Sequence, residues 1–237
     1  NGSGEQSSNP DNWNREHVWA KSHGFPSTSQ EGYTDIHHLR PTDISVNASR
    51  GNLDFDNSDN ALAESPINRV DGDSFEPRDE VKGDVARMVF YMDTRYEGSG
   101  SDSTPDLSVV DRLTSTGEAA LGRLCRLLEW HNGDPVSSFE QNRNNVIYEY
   151  QGNRNPYIDH PEWVSAIYGS QTCTGNDDNN GGDSGGDGSG NGSGGNGDSG
   201  SAVALIISEY IEGNSNNKAI ELYNLTNSSI NLDEEQV

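Results

Sequence analysis

Three features of the chain predict an α+β domain followed by a linker and a small β module. Apolar residues recur at helical spacing between about residues 80 and 170. Residues 15–40 read as short extended pieces around a polar loop. A Gly/Ser/Asn/Asp segment then separates this region from two strand-like runs near the end. The expected boundaries are a domain over 1–174, a linker over 175–201 and the start of a β domain over 202–237. Only 30% of the 237 residues are hydrophobic, which suits one core of moderate size. No run approaches the roughly 18–20 apolar residues of a membrane span.

In chain order, the extended pieces flank a loop from Pro26 to Gly32, and Pro41-Thr42-Asp43 can cap a short helix carrying Asn47. Val81, Val85, Met88, Val89 and Met92 lie three and four apart and predict an amphipathic helix over 79–96. Leu121, Leu124, Leu127 and Leu128 predict another over 118–130. Asp134-Pro135 is a cap and first-turn pair for a helix running through Phe139, Val146 and Ile147 to Gly152. Asp159-His160-Pro161 opens a last short helix with Trp163, Val164 and Ile167. The segment 175–201 cannot bury apolar surface and reads as a flexible spacer. Ala202–Ile211 and Lys218–Tyr223 read as strands around a turn-rich stretch.

The formal charge is −24. Phosphate affinity comes mostly from Lys and Arg, so this balance argues against a generally basic nucleic-acid-binding surface. It does not exclude a local cationic groove, because net charge governs solubility and long-range steering rather than any one site. The two cysteines, Cys125 and Cys173, could form one disulfide, which would suit an oxidising compartment, or remain two buried thiols.

The chemistry-bearing residues cluster early. Glu16 and His17 are adjacent, Asn47 follows thirty residues later, and Arg40 and Arg50 flank it. A hard dication such as Mg²⁺ prefers oxygen ligands and keeps several waters, so one carboxylate (Glu16) and one amide oxygen (Asn47) suffice to anchor it. A neutral imidazole, here His17, is suited to deprotonating water near neutral pH. Together these groups suit hydrolysis of a phosphodiester. One constraint follows from strand geometry. Neighbouring residues on a strand face opposite ways, so Glu16 or His17 must stand at a strand end or bulge for both to serve one site.

Residues 14–168 resemble the endonuclease I family of secreted nucleases, within the ββα-metal (His-Me finger) superfamily. The resemblance rests on Arg15-Glu16-His17-Val18-Trp19, Asp35-Ile36-His37-His38-Leu39-Arg40-Pro41, Val46-Asn47 and Arg50-Gly51-Asn52. It continues through Lys82–Arg87, Tyr91-Met92, Trp130-His131, Asp134-Pro135-Val136, Arg143-Asn144 and Gln151–Pro161. It implies that His17 is the general base and that Glu16 and Asn47 hold Mg²⁺, with Mn²⁺ or Ca²⁺ as substitutes. It further implies secretion to the extracellular space or periplasm, and cleavage of DNA, often RNA too, with little sequence preference, leaving 5′-phosphate and 3′-hydroxyl ends. Ala20 stands where the family usually has proline, which loosens the turn after His17 and removes no functional group. Family members carry further segments upstream, so the N-terminal part of the domain is expected to lie outside this chain.

Arg40 and Arg50 are expected at substrate phosphates, with ion pairing to nearby Asp as the alternative. Arg15, Lys21, Arg143 and Arg154 are the further candidates for nucleic-acid contact. His37 and His38 are expected to make structural hydrogen bonds, and Trp19, Trp130 and Trp163 to belong to the core. Ser208-Glu209-Tyr210-Ile211 with Ala219–Asn224 resembles the opening strands of a lamin-tail domain, which implies an attachment role. A monomer with no obligate protein partner is expected. The rival readings are a phosphodiesterase for smaller esters, and a binding or surface-adhesion module that keeps the fold without the activity. The presence of Glu16, His17 and Asn47 argues against the second rival.

Overall fold

The structure, a computed structural model, describes residues 13–98, 103–170 and 173, and the backbone of 205–212 and 218–224. It divides into two units, residues 1–174 and 175–237. The linker expected over 175–201 lies outside the described residues.

The first unit opens with an antiparallel hairpin of β1 (Trp13–His17) and β2 (Leu39–Asp43), in which Glu16 faces Arg40 and His17 faces Leu39. The chain then turns directly into α1 (Ile44–Arg50), which packs on both strands. Asp43 caps this helix as expected, its carboxylate accepting from the backbone N–H groups of Ser45 (2.8 Å) and Val46 (3.4 Å). Gly51 closes it at φ 57°, a conformation that disfavours side chains, and donates its N–H to the carbonyl of Asn47. This β-β-α order agrees with the predicted α+β class.

Two three-residue-per-turn segments, Glu31–Thr34 and Ile36–His38, occupy the hairpin's long connection. Buried Asp35 anchors it, accepting from the hydroxyls of Tyr91 (2.8 Å) and Tyr96 (2.9 Å) and from the amide of Gln151 (2.8 Å). The connection is thereby tied to α2 (Lys82–Arg95) and α4 (Ser138–Gln151). The core gathers around α2, whose Ala86, Val89, Phe90 and Met92 have no exposed surface, and around α3 (Leu124–Gly133) packed beside it. Trp19 and Trp130 join that core as expected, and Trp163 packs at its margin.

Several expectations need correction. Residues 118–123 are not helical. Ala120–Gly122 form β8, parallel to β7 (Ser108–Val110), and the helix starts at Leu124. The leucine spacing there fits both patterns; the close approach at Gly122 decides, since a Cβ would lie 2.1 Å from the Arg112 carbonyl oxygen. Ser137, not Asp134, caps α4, through a capping box with Glu140. Asp134 instead accepts from the N–H of Gly83 at the start of α2 (2.8 Å). A four-stranded sheet of β3 (Asp54–Phe55), β4 (Asn60–Ala61), β5 (Arg69–Val70) and β6 (Ser74–Glu76), in the order β3-β6-β5-β4, has no counterpart in the sequence reading. Its strands are two or three residues long, too short for a period to register.

The unit ends with α5 (Pro156–Asp159) and α6 (Glu162–Tyr168). Of the two states open to the cysteines, the structure has the disulfide, Cys125–Cys173, with Cα atoms 5.6 Å apart. In the second unit, β9 (Leu205–Glu212) and β10 (Lys218–Asn224) pair antiparallel, with a register shift between Glu221 and Leu222.

Candidate active site

The residues predicted to carry chemistry meet on the hairpin and its helix. His17 is the last residue of β1, the strand-end position required of it or of Glu16 if the two are to serve one site. Its Nε2 donates to the carbonyl oxygen of Tyr33 at 3.0 Å. A carbonyl only accepts, so Nε2 carries the proton and the neutral ring presents a bare Nδ1 lone pair. Among the described residues nothing occupies Nδ1. Burial lowers the pKa of His17 below the ordinary histidine value. The bond to Tyr33 opposes that shift, while the positive charges of Lys21, Arg15 and Arg50 add to it. The unprotonated form therefore prevails at neutral pH.

Glu16 is buried, and its Oε1 accepts from Arg50 Nη1 at 2.9 Å. Burial raises its pKa, and the Arg50 charge and hydrogen bond oppose the rise. Among the described residues Oε2 has no partner. The Asn47 amide is held against β1, its Nδ2 donating to Asn14 Oδ1 (2.7 Å) and to the Arg15 carbonyl (3.2 Å). Both partners are acceptors, which fixes the amide orientation and leaves Oδ1 without a partner among the described residues. One oxygen donor on β1, one on α1 and a basic nitrogen at the end of β1 thus have no partner among the described residues.

These groups fit a hard divalent cation. Among the described residues no set of three or more His, Cys, Asp or Glu side chains could hold a metal. An ion that retains most of its water shell does not require one.

The arginines divide. Arg50, expected at a phosphate, is buried, and its guanidinium donates to Glu16, to the carbonyl of His17 (2.8 Å) and to that of Val18 (2.7 Å). Its geometry is that of a group holding the chain at His17 in place. Arg40 keeps 21% of its side-chain surface, lies 3.4 Å from Asp84 and stands 5.4 Å over the Phe139 ring. Asp84 is pushed up to about 6 by burial and the Glu140 charge, against the pull of Arg40.

Lys21 is exposed, with its ammonium over the Tyr33 ring, and Arg15 is exposed on β1. Arg143 is turned inward, donating to the carbonyls of Ile36 (2.5 Å), His37 (3.2 Å) and Leu39 (2.9 Å). Arg154 pairs with Asp159 through two contacts of 2.6 Å. Arg15 and Lys21 are exposed and Arg40 is partly so beside Asp84, whereas Arg50 and Arg143 are engaged within the fold and Arg154 is half-exposed in its pair with Asp159. His37 and His38 donate to the carbonyls of Asn153 (3.2 Å) and Gly32 (2.7 Å), the structural bonds expected of them.

Two contributors escaped the sequence reading. Asn14 lies two residues before Glu16, hence on the same strand face, a signal that was available. The carbonyl of Tyr33 carries no side-chain signal at all.

The sequence profile of the endonuclease I family matches residues 1–162. The chain is 57% identical over 157 residues to an extracellular ribonuclease of Bacillus amyloliquefaciens, covering 66% of this chain and 54% of that protein. It is 58% identical over 161 residues to an extracellular ribonuclease of Bacillus subtilis (strain 168), covering 68% and 55%. It is 27% identical over 135 residues to an endonuclease-1 of Buchnera aphidicola subsp. Baizongia pistaciae (strain Bp), covering 53% and 46%. The chain spans about half the length of these relatives. With the ββα arrangement and the matched blocks in order, the chain belongs to the endonuclease I family.

Proposed function

We propose that this protein is a secreted, Mg²⁺-dependent, sequence-nonspecific endonuclease that hydrolyses phosphodiester bonds of DNA and RNA, leaving 5′-phosphate and 3′-hydroxyl ends. The observation that carries the reading is the His17 ring, whose Nε2 donates to the Tyr33 carbonyl and leaves Nδ1 bare, at the end of the strand that also carries Glu16 and holds the Asn47 amide. In this reading Nδ1 takes the proton of the attacking water as that water closes on phosphorus, while the bond from phosphorus to the 3′ oxygen breaks and that oxygen takes a proton from solvent water. Arg40 steadies the phosphate oxygens, and Arg15 and Lys21 draw the flanking backbone. Arg50 keeps Glu16 ionised and positioned, with its second oxygen open. Glu16 Oε2 and Asn47 Oδ1 would hold the dication. When bound, it supplies positive charge against the charge that builds on phosphate and leaving oxygen.

Family membership supports metal dependence in general. The names of the Bacillus relatives support an extracellular location and nucleic acid as substrate, and the Cys125–Cys173 bridge suits an oxidising compartment. Residues 202–237 are read as the opening of a lamin-tail-like module with an attachment role, a reading to which the antiparallel pairing of β9 and β10 lends support.

The test uses supercoiled plasmid and a folded RNA, each incubated with Mg²⁺, then with EDTA, then with His17→Ala. Degradation abolished by both treatments is the expected result. Intact substrate retained on a gel by the unmodified protein would replace the nuclease with a binding module.

A further inference from the structure

Helix α4 buries Glu140, Asn144 and Ile147 against the core, and its adjoining flank carries Phe139, Arg143, Val146 and Tyr150 at intervals of four, three and four residues. That flank faces the catalytic hairpin, since Arg143 donates to the carbonyls of Ile36, His37 and Leu39, and Arg40 stands over Phe139. Arg40 is the cross-strand partner of Glu16. The flank is nonetheless open to solvent: Phe139 is 60% exposed, Tyr150 80%, Val146 42%, and neighbouring Ile36 39%. Two exposed aromatics on one helix flank, reached from the catalytic strand through a cation, call for an occupant.

We propose that this flank binds unpaired bases of the substrate strand next to the cleavage site, so that single-stranded nucleic acid is the preferred substrate. The inference rests on the nuclease reading and names its substrate class. Charge favours this occupant. In a chain with 39 carboxylates, α4 has two, Glu140 turned into the core and Glu149 on the outermost face. The flank itself has Arg40 at one end, 3.4 Å from Asp84 and still partly exposed. Aromatic faces stack on any base without reading its sequence, whereas the bases of a duplex are already stacked on each other. Phe139 and Tyr150 lie roughly 16 Å apart along the axis, too far to share one base, so each would stack on its own.

The test measures binding rather than cleavage, in the His17→Ala protein with Mg²⁺. Fluorescence anisotropy reads the affinity for a single strand of about 12 nucleotides, a matched duplex and an abasic strand of equal length. Replacing Phe139 and Tyr150 together by Ala is expected to weaken the base-bearing single strand about tenfold or more. The abasic strand should keep its affinity, and the Phe139→Trp, Tyr150→Phe pair should restore tight binding. In the active protein the ratio of kcat/KM on single strand to that on duplex should fall, through KM.

Equal weakening of base-bearing and abasic strands, or no weakening, overturns the proposal. Self-association of the unmodified chain that the double Ala variant abolishes also overturns it, since the occupant would then be a second copy. Failure of the nuclease reading shows separately, as an unmodified protein that leaves every strand intact with Mg²⁺.

Discussion

Glu16 with Arg50 and Glu140 with Arg87 are both buried ion pairs, and they are built to different ends. Glu140 accepts from Arg87 Nε at 2.7 Å and Nη2 at 2.8 Å, and its second oxygen also takes the N–H of Ser137 in the capping box. Both oxygens are occupied, and the pair joins α2 to the start of α4. Glu16 accepts from Arg50 through one oxygen only, while the rest of that guanidinium holds the carbonyls of His17 and Val18. A closed pair stabilises packing; a half-closed pair keeps a carboxylate ionised and offers its other oxygen. The histidines repeat the contrast. Buried His23 faces backbone carbonyl oxygens with both nitrogens, at 2.9 and 3.0 Å, whereas His17 uses one and leaves the other bare. In both comparisons the site group keeps a valence open; His37 and His38 also leave Nδ1 unpartnered, but their rings are fully buried whereas that of His17 is only partly so.

The largest test of this contrast is His17→Ala. It should lower kcat by about 10²- to 10⁴-fold, the usual contribution of a general base, with the melting transition nearly unchanged. Single-turnover rates and a thermal melt on the same sample read both. At the closed pair, Glu140→Gln should destabilise the fold by about 3–5 kcal/mol, because it leaves the Arg87 charge buried without its counter-ion. The divalent-ion concentration giving half-maximal rate should not move. If it moves, Glu140 belongs to the site and the distinction fails.

Acid should act chiefly on the scaffold. Burial depresses His38 to about 4. Below the ordinary value near 6.5 the unfolded chain takes up a proton that the folded one refuses. The stabilisation is complete above that value and is lost as pH falls towards 4, amounting to about 3 kcal/mol from this group. Urea melts at pH 7 and pH 4.5 test the sign; greater stability at the lower pH would contradict it. His17 also titrates below the ordinary value, so the rate should rise with pH to a plateau reached before neutrality.

Asn47→Ala and Asn14→Ala sharpen the comparison on the open side. Each should weaken metal affinity about 10- to 100-fold, with activity partly recovered at high Mg²⁺, as expected for a ligand and for the group that orients it. Full activity of Asn14→Ala at low Mg²⁺ would show that the Asn47 amide needs no such support. The smallest effect is expected of Arg154→Ala. Its pair with Asp159 is solvent-screened and contributes under about 1 kcal/mol, so activity on plasmid should stay within twofold.

Much of the candidate site was legible in the sequence because its groups are chemically distinctive and close in the chain. Glu16, His17, Asn47 and the Asp43 cap were readable from residue type and spacing, as was α2 from its period. Arg50 was read as a phosphate contact because an arginine beside a candidate metal ligand has two uses that sequence does not separate; burial against Glu16 chose the other. The helix predicted over 118–130 lost its first turn to β8, since a leucine every three or four residues cannot report that Gly122 lies against the Arg112 carbonyl.

Local chemistry was therefore determined by the sequence alone: which residues can bind an ion, take a proton, cap a helix or bury a face. Tertiary structure decided which valences stay open. The Tyr33 carbonyl selects the tautomer of His17, and Asn14 orients the Asn47 amide. Arg50 takes one oxygen of Glu16 and leaves the other. Each of these choices is made by a hydrogen bond between groups 16 to 34 residues apart, and such a bond exists only once the hairpin and its helix have closed.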